Sequence, residues 1–430
     1  MDGSKFFITD IKSRQLFVFF TLISFLTFSI GIAIGYIISS LSSVSSKSEI
    51  RNNITEAIRS SCCATSIETD TGKVYLERML ERQDKMFACV RSTEECWYYG
   101  LPRTYLVYQL NGKTINIDGK LDDDAWGEVP WSDDFVDIRS FIYGKPKYDS
   151  KFKMRWDNEC LYIGVYMQEN DLWATYKEHD SPLYKENGLE VLLGIDRYSF
   201  NYKQIDINVL GTIMDLLMFT SPYETSFNQA SDIKWNITAK SAVYFEGTVN
   251  TPGDEDKYWS MELALPFKEL SELSQRGHFI PKENEVWTAQ FGRSQPNIRV
   301  RNGTYERGPA FYWNWWAWQP CDAFNMHLQN RWGLIQFKQD KDDTKFIFQK
   351  WHIYKSLFDV YDALQSYKAV TGFYTYTIEA LDVPPYLLSR TCVYIPDITI
   401  DGSDFNVTVT SMILPNTTAH IRSDKYVIFH

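Results

Sequence analysis

The sequence predicts an all-β fold, an antiparallel β-sandwich or jelly roll, placed behind an N-terminal transmembrane helix and followed by a small α+β extension. Three observations predict it. Residues 16–38 form an apolar run without a charge. From about residue 105 to 337, short stretches alternate apolar and polar residues with period two. Beyond residue 341, Leu357, Tyr361, Leu364, Tyr367 and Val370 recur at helical spacing and stop at Gly372.

The apolar run is long enough to cross a bilayer as a helix. Lys5, Lys12 and Arg14 precede it, against Lys47 and Arg51 behind it, a bias toward a cytoplasmic tail over residues 1–15. The sequons at Asn53, Asn236, Asn302, Asn406 and Asn416 all follow the run, as expected of a glycosylated ectodomain. Together these predict a single-pass type II membrane protein with its C-terminal domain extracellular or lumenal. Residues 39–104 read as a stalk and a small helical subdomain, its helix over residues 74–90. Cys62, Cys63, Cys89 and Cys96 flank that helix and are the disulfide candidates in an oxidising compartment. A metal cluster is the alternative for these cysteines, without a nearby histidine to support it.

The sandwich is expected over residues 105–340. Alternating runs at 115–117, 151–156, 160–167, 189–195, 204–209, 213–219, 259–265, 286–293 and 333–337 are its strands, with Asp118-Gly119, Asp157-Asn158, Asp196-Arg197 and Pro252-Gly253 as turns. In the 204–209 run, Ile205, Ile207 and Val209 share one face and Gln204, Asp206 and Asn208 the other. Glu190 is a lone carboxylate opposite Leu189, Val191 and Leu193, in a strand otherwise apolar. Residues 341–430 form the extension, a helix followed by strand-like runs at 373–378, 393–400, 405–412 and 426–430.

The net charge of -11 excludes nucleic acid or an anionic surface as the main partner, since both require clustered Lys and Arg. Aromatic residues make up 16% of the chain, and Phe311, Tyr312, Trp313, Trp315, Trp316 and Trp318 crowd one short stretch. Such a stretch is either a core plug or a platform on which a sugar ring stacks its C–H groups while nearby polar side chains take its hydroxyls.

The run from Ile117 to Trp126, IDGKLDDDAW, resembles the IDG-x-x-D-D-x-x-W opening of family 9 carbohydrate-binding modules. Met154 to Ile163, Asn187 to Val191, Tyr202 to Asn208, Gly247 to Asn250, Trp259 to Pro266, and Trp318 to Pro320 with Asn325 to His327 and Arg331 to Gly333 are similar to later blocks of that family, in the same order. The resemblance implies a β-sandwich that binds glucans or xylans between two aromatic rings, often with structural calcium. It assigns one ring to Tyr184, the other to Trp315, Trp316 or Trp318, and hydroxyl contacts to Glu190 and Asn314; Asp206 stands where sugar-binding members can carry an arginine. Structural calcium would rest on Asp122, Asp123 and Asp124. The leading expectation is therefore non-catalytic binding of a glycan or glycoconjugate. A scaffold or adhesion domain without a sugar site is the alternative, and a glycosidase using Glu190 and Asp206 the third reading.

Overall fold

The computed structural model describes residues 95–430 except 197–199, 224–228, 309–313 and 342. All of them fall in one compact unit, Glu68–His430. In chain order the sandwich strands are β1 (Thr104–Gln109), β2 (Val136–Asp137), β3 (Ser150–Trp156), β4 (Cys160–Gln168), β5 (Gly188–Gly194), β6 (Tyr202–Asn208), β7 (Ile213–Met218), β8 (Ser231–Asp232), β9 (Lys240–Glu246), β10 (Tyr258–Pro266), β11 (Val286–Gln295), the hairpin β12 (Ile298–Arg301) and β13 (Thr304–Arg307), β14 (Asn314–Ala317) and β15 (Gly333–Lys338). Two short helices, α1 (Asp124–Gly127) and α2 (Phe267–Leu270), interrupt them. The extension consists of α3 (Trp351–Thr371) and the strands β16 (Asp397–Asp401), β17 (Asp404–Thr410), β18 (Thr418–Arg422) and β19 (Val427–Phe429).

All sandwich strands except the β12–β13 hairpin join one sheet of 13 strands, ordered β8-β7-β6-β5-β11-β15-β1-β3-β4-β10-β9, with β14 and β2 branching from β11. The sheet curls so that its two halves face each other: Ile163, Val165 and Leu263 from one half share a core with Leu189, Val191 and Ile205 from the other. The expected purely antiparallel sheet is corrected to a mixed one, because β1 runs parallel to both β15 and β3. Pairing of Thr104 with Leu334 joins the first strand to the last, a contact between segments far apart in the chain. Residues 115–117 are not a strand either. They run into a turn where the Asp118 and Gly119 amides donate to Glu262 Oε2, both at 2.9 Å, and Trp126 Nε1 donates to Glu262 Oε1 at 2.7 Å. Gly119 sits at φ +87, and a Cβ there would lie 2.5 Å from the backbone of Val243 and Tyr244, so the turn admits only glycine.

The extension has its own core. Leu357, Val360 and Leu364 of α3 pack on Phe405, Val407 and Ile421, and the cluster takes in Val286 and Leu334 from the outer face of β11 and β15. Gln336 fixes this docking with both ends of its amide, Nε2 donating to Ile347 O at 2.7 Å and Oε1 accepting from the Ile347 amide at 3.0 Å. The helix ends as expected at Gly372, which is left-handed at φ 86 and returns its N–H to Lys368 O at 2.8 Å. The expected strand at 373–378 does not form.

Two expectations for the N-terminal part change. Cys96 is bonded to Cys392, with Cα atoms 5.5 Å apart, rather than to a neighbour in the 39–104 region. It therefore ties the segment before β1 to the extension. Cys62, Cys63, Cys89 and the helix expected at 74–90 lie outside the described residues. The transmembrane helix and the single-pass type II location are corrected as well: no helix of the described residues is long and apolar enough to cross a membrane, and the 16–38 run lies outside them.

Candidate functional site

Strand alternation places Glu190 and Asp206 opposite each other on the outer face of β5 and β6, away from the main core. Their row continues to Met214 on β7 and to Gly292 and Ala317 on β11 and β14. Directly opposed residues on antiparallel strands have Cβ atoms about 4.5–5.5 Å apart, so the two carboxyl groups are neighbours. Both are buried, at 2% and 1% exposure. Burial, and second the charge of Asp206, raises the pKa of Glu190 well above the carboxylate range. Burial pushes Asp206 up to about 8, against the opposing effect of Gln204, whose Nε2 donates to both Asp206 oxygens at 3.1 Å. Both shifts run toward the protonated form, and Glu190 Oε1 has no hydrogen-bond partner among the described residues. Gln204, Asp206 and Asn208 share a face as expected, but a buried one.

The aromatic stretch divides between the two faces. On β14, Trp315 pairs with Ser294 and Ala317 with Gly292, which puts Trp315 on the Glu190 side one row along. Trp315 is half-buried, with the exposed ring of Phe324 at 6.1 Å. Trp316 and Trp318 alternate to the other side. Trp318 is wholly buried against Phe152 and Phe291, at 5.0 and 6.2 Å between ring centroids, with Gly333 beneath its six-membered ring. Trp316 packs edge-on to Tyr148 and under the Arg293 guanidinium. Trp318 is thus a core residue and Trp315 the ring on the site face. Asn314, exposed and opposite Gln295, shares the alternation of Trp316 and does not join Glu190.

Tyr184, in the turn Leu183–Lys185, is brought to the same place through its backbone: its carbonyl accepts from Ser294 Oγ at 3.0 Å, and Ser294 is the register partner of Trp315. Gly188 makes room for that turn, since a Cβ there would lie 3.2 Å from the Leu183 carbonyl. The resemblance includes the 325–327 block but does not say that it covers the site. Met326 lies across Gly292, its Cε and Sδ occupying the space a Cβ would need. His327 Nδ1 meets Tyr202 Oη at 2.7 Å, and burial lowers its pKa to about 4, so the imidazole is neutral. A glycine at position 292, in a strand of large residues, was the available signal.

The inner face holds a second polar group. Arg293 pairs with Glu169 at 2.9 Å and also donates to Ser150 and Gln295, each at 3.0 Å. Glu169 accepts further from Asn187 Nδ2 at 2.7 Å and from the amides of Asn170 and Asp171.

Asp122, Asp123 and Asp124 do not converge. Asp122 and Asp124 are exposed, while Asp123 Oδ2 accepts the Asn116 amide at 3.0 Å. Among the described residues, one group of three or more potential ligands has donor atoms within 4.8 Å of one another, and it is His179, Asp180 and Asp215. Asn236, Asn302, Asn406 and Asn416 are all exposed, and Asn53 lies outside the described residues. An open groove between the 133–145 segment and α3 includes none of the expected site residues.

No protein-family profile matches the chain, and no curated protein matches it. Among solved structures, it is similar to a family 9 carbohydrate binding module from Caldicellulosiruptor kristjanssonii in complex with cellotriose, at 16% identity and a TM-score of 0.36, covering 57% of this chain and 100% of that one. A family 9 carbohydrate binding module from the same organism in complex with glucose gives 17%, 0.35, 56% and 100%. A putative carbohydrate-binding protein from Bacteroides uniformis gives 10%, 0.39, 55% and 100%.

Proposed function

We propose that the chain binds a glycan without chemistry, on the outer face formed by β5, β6, β11 and β14. The observation that carries this reading is the unpartnered Glu190 Oε1 on the same sheet face as the half-buried Trp315. The indole receives the C–H face of a pyranose, and the Glu190 carboxyl exchanges hydrogen bonds with its hydroxyls. Burial shifts Glu190 toward its protonated form, in which a carboxyl both donates and accepts and so matches a hydroxyl better than a carboxylate does. Tyr184, seated at Ser294, flanks the same position. A glycosidase needs one ionised and one protonated carboxyl on opposite sides of a bond. Here burial shifts both in the same direction, toward the protonated form, and they lie side by side on adjacent strands.

The near-complete burial of Glu190 and Asp206 favours the second reading, a scaffold whose site is closed. A glycan array separates the two. The first reading expects signal on at least one glycan, weakened about tenfold by Trp315→Ala, as loss of a ring contact worth about 1–1.5 kcal/mol requires. It also expects signal unchanged by a substitution at the exposed Asn314. Absence of signal on every glycan leaves the scaffold.

A further inference from the structure

We propose that His179, Asp180 and Asp215 form a binding site for a divalent transition-metal cation of the zinc type. The site is separate from the glycan face: Asp215 is opposite in alternation to Met214, the β7 member of the Glu190 row. Three segments build it. Asp215 sits on β7 at 0% exposure, with Oδ2 accepting the Ile237 amide at 2.8 Å. The loop bearing His179 and Asp180 is pinned to the same strand by the Asp180 amide, which donates to Ile213 O at 3.0 Å. The donor atoms of the three side chains all lie within 4.8 Å of one another.

The second observation is what the carboxylates lack. Asp215 Oδ1 and Asp180 Oδ1 are both buried, and neither has a hydrogen-bond donor. Asp180 Oδ1 lies 3.0 Å from His179 Nδ1, but without hydrogen-bond geometry. A buried carboxylate oxygen without a hydrogen-bond donor is costly. One cation answers both oxygens at once. Because one of the three donors is an imidazole nitrogen, the set suits zinc-like ions better than calcium, which takes oxygen ligands. Tetrahedral zinc with bonds of about 2.0–2.1 Å brings its ligands to about 3.3 Å apart, so the site contracts on loading. His179 is exposed and free to supply that movement. The loaded ion would join the 179–180 loop, β7 and the 235–237 segment.

The test is equilibrium dialysis of the purified full chain against Zn2+, with elemental analysis, in a His420→Ala background. That background removes a close imidazole pair elsewhere among the described residues, His420 Nδ1 to His430 Nε2 at 2.8 Å. The expected result is one zinc per chain that is lost in both His179→Ala and Asp215→Asn and is not displaced by equimolar Ca2+. His179 is at the surface, and the asparagine keeps an oxygen for the Ile237 amide, so folding, checked by circular dichroism, survives at least one of the two. Retention of that zinc by either folded variant, its displacement by calcium, or its absence from the parent overturns the proposal.

Discussion

Two buried polar groups lie back to back on β11, and they differ in how far their charges are answered. On the inner side, Arg293 and Glu169 form an ion pair in which the guanidinium and both carboxylate oxygens have further partners. On the outer side, past Gly292, Glu190 and Asp206 are two like acids of which Asp206 alone takes the Gln204 amide, while Glu190 Oε1 is left without a donor among the described residues. Burial is the same for both. A satisfied cluster holds architecture, whereas an unsatisfied one in a folded protein is where a ligand has hydrogen bonds to make.

The comparison breaks most visibly on stability. Arg293→Met strands Glu169 as an unpaired buried charge and is expected to cost about 3–5 kcal/mol in denaturant unfolding. Glu190→Leu, one row away on the other face, is expected to stay within about 1 kcal/mol of the parent while abolishing glycan binding, since it removes an unpartnered acid, and with it the donor and acceptor offered to the hydroxyls, rather than half of an ion pair. Equal losses for the two would make the Glu190 pair structural. The tryptophans give a parallel contrast. Trp318→Ala opens a cavity under Phe152 and Phe291 and is expected to cost about 3–5 kcal/mol. Trp315→Ala is expected to change the midpoint by less than half as much, its effect falling on binding.

The remaining contrast is the pH dependence. The raised pKa of Asp206 means that the folded state keeps a proton which the unfolded chain has released, so its contribution is full below the unfolded pKa of about 4 and lost as pH rises through about 8, and Glu190 is shifted in the same direction. Stability is thus expected to decline between those limits, with a slope of at most about 1.4 kcal/mol per pH unit for each carboxyl. Asp206→Asn flattens the decline in urea melts run from pH 5 to 8. A slope unchanged by the substitution would mean that Asp206 is already ionised.

Much of this site could be read from residue order alone, and the reason it could not all be is physical. Alternation separated Ile205, Ile207 and Val209 from Gln204, Asp206 and Asn208 because those strands differ chemically between faces. Around Trp315 the same rule has nothing to act on, since large rings occupy both faces. The phase of β14 is set by its pairing with β11, so the resemblance could not choose among Trp315, Trp316 and Trp318. The parallel pairing of β1 and the Cys96–Cys392 bond each join segments from opposite ends of the described chain, and local pattern carries no information about such partners. The turn at Asp118-Gly119 was recognisable, but its acceptor, Glu262, was not.

The Cys96–Cys392 bond also fixes how the protein responds to being pulled. Tension entering from the chain before Cys96 crosses that sulfur bridge directly into the module built on α3 and β16–β19. The long covalent loop between the two cysteines, which contains the whole curled sheet, is then mechanically in parallel with the bridge and bears little of the load. Reduction of that one bond would reroute the tension through β1 and its neighbours, turning a shielded sheet into the element that must resist unravelling.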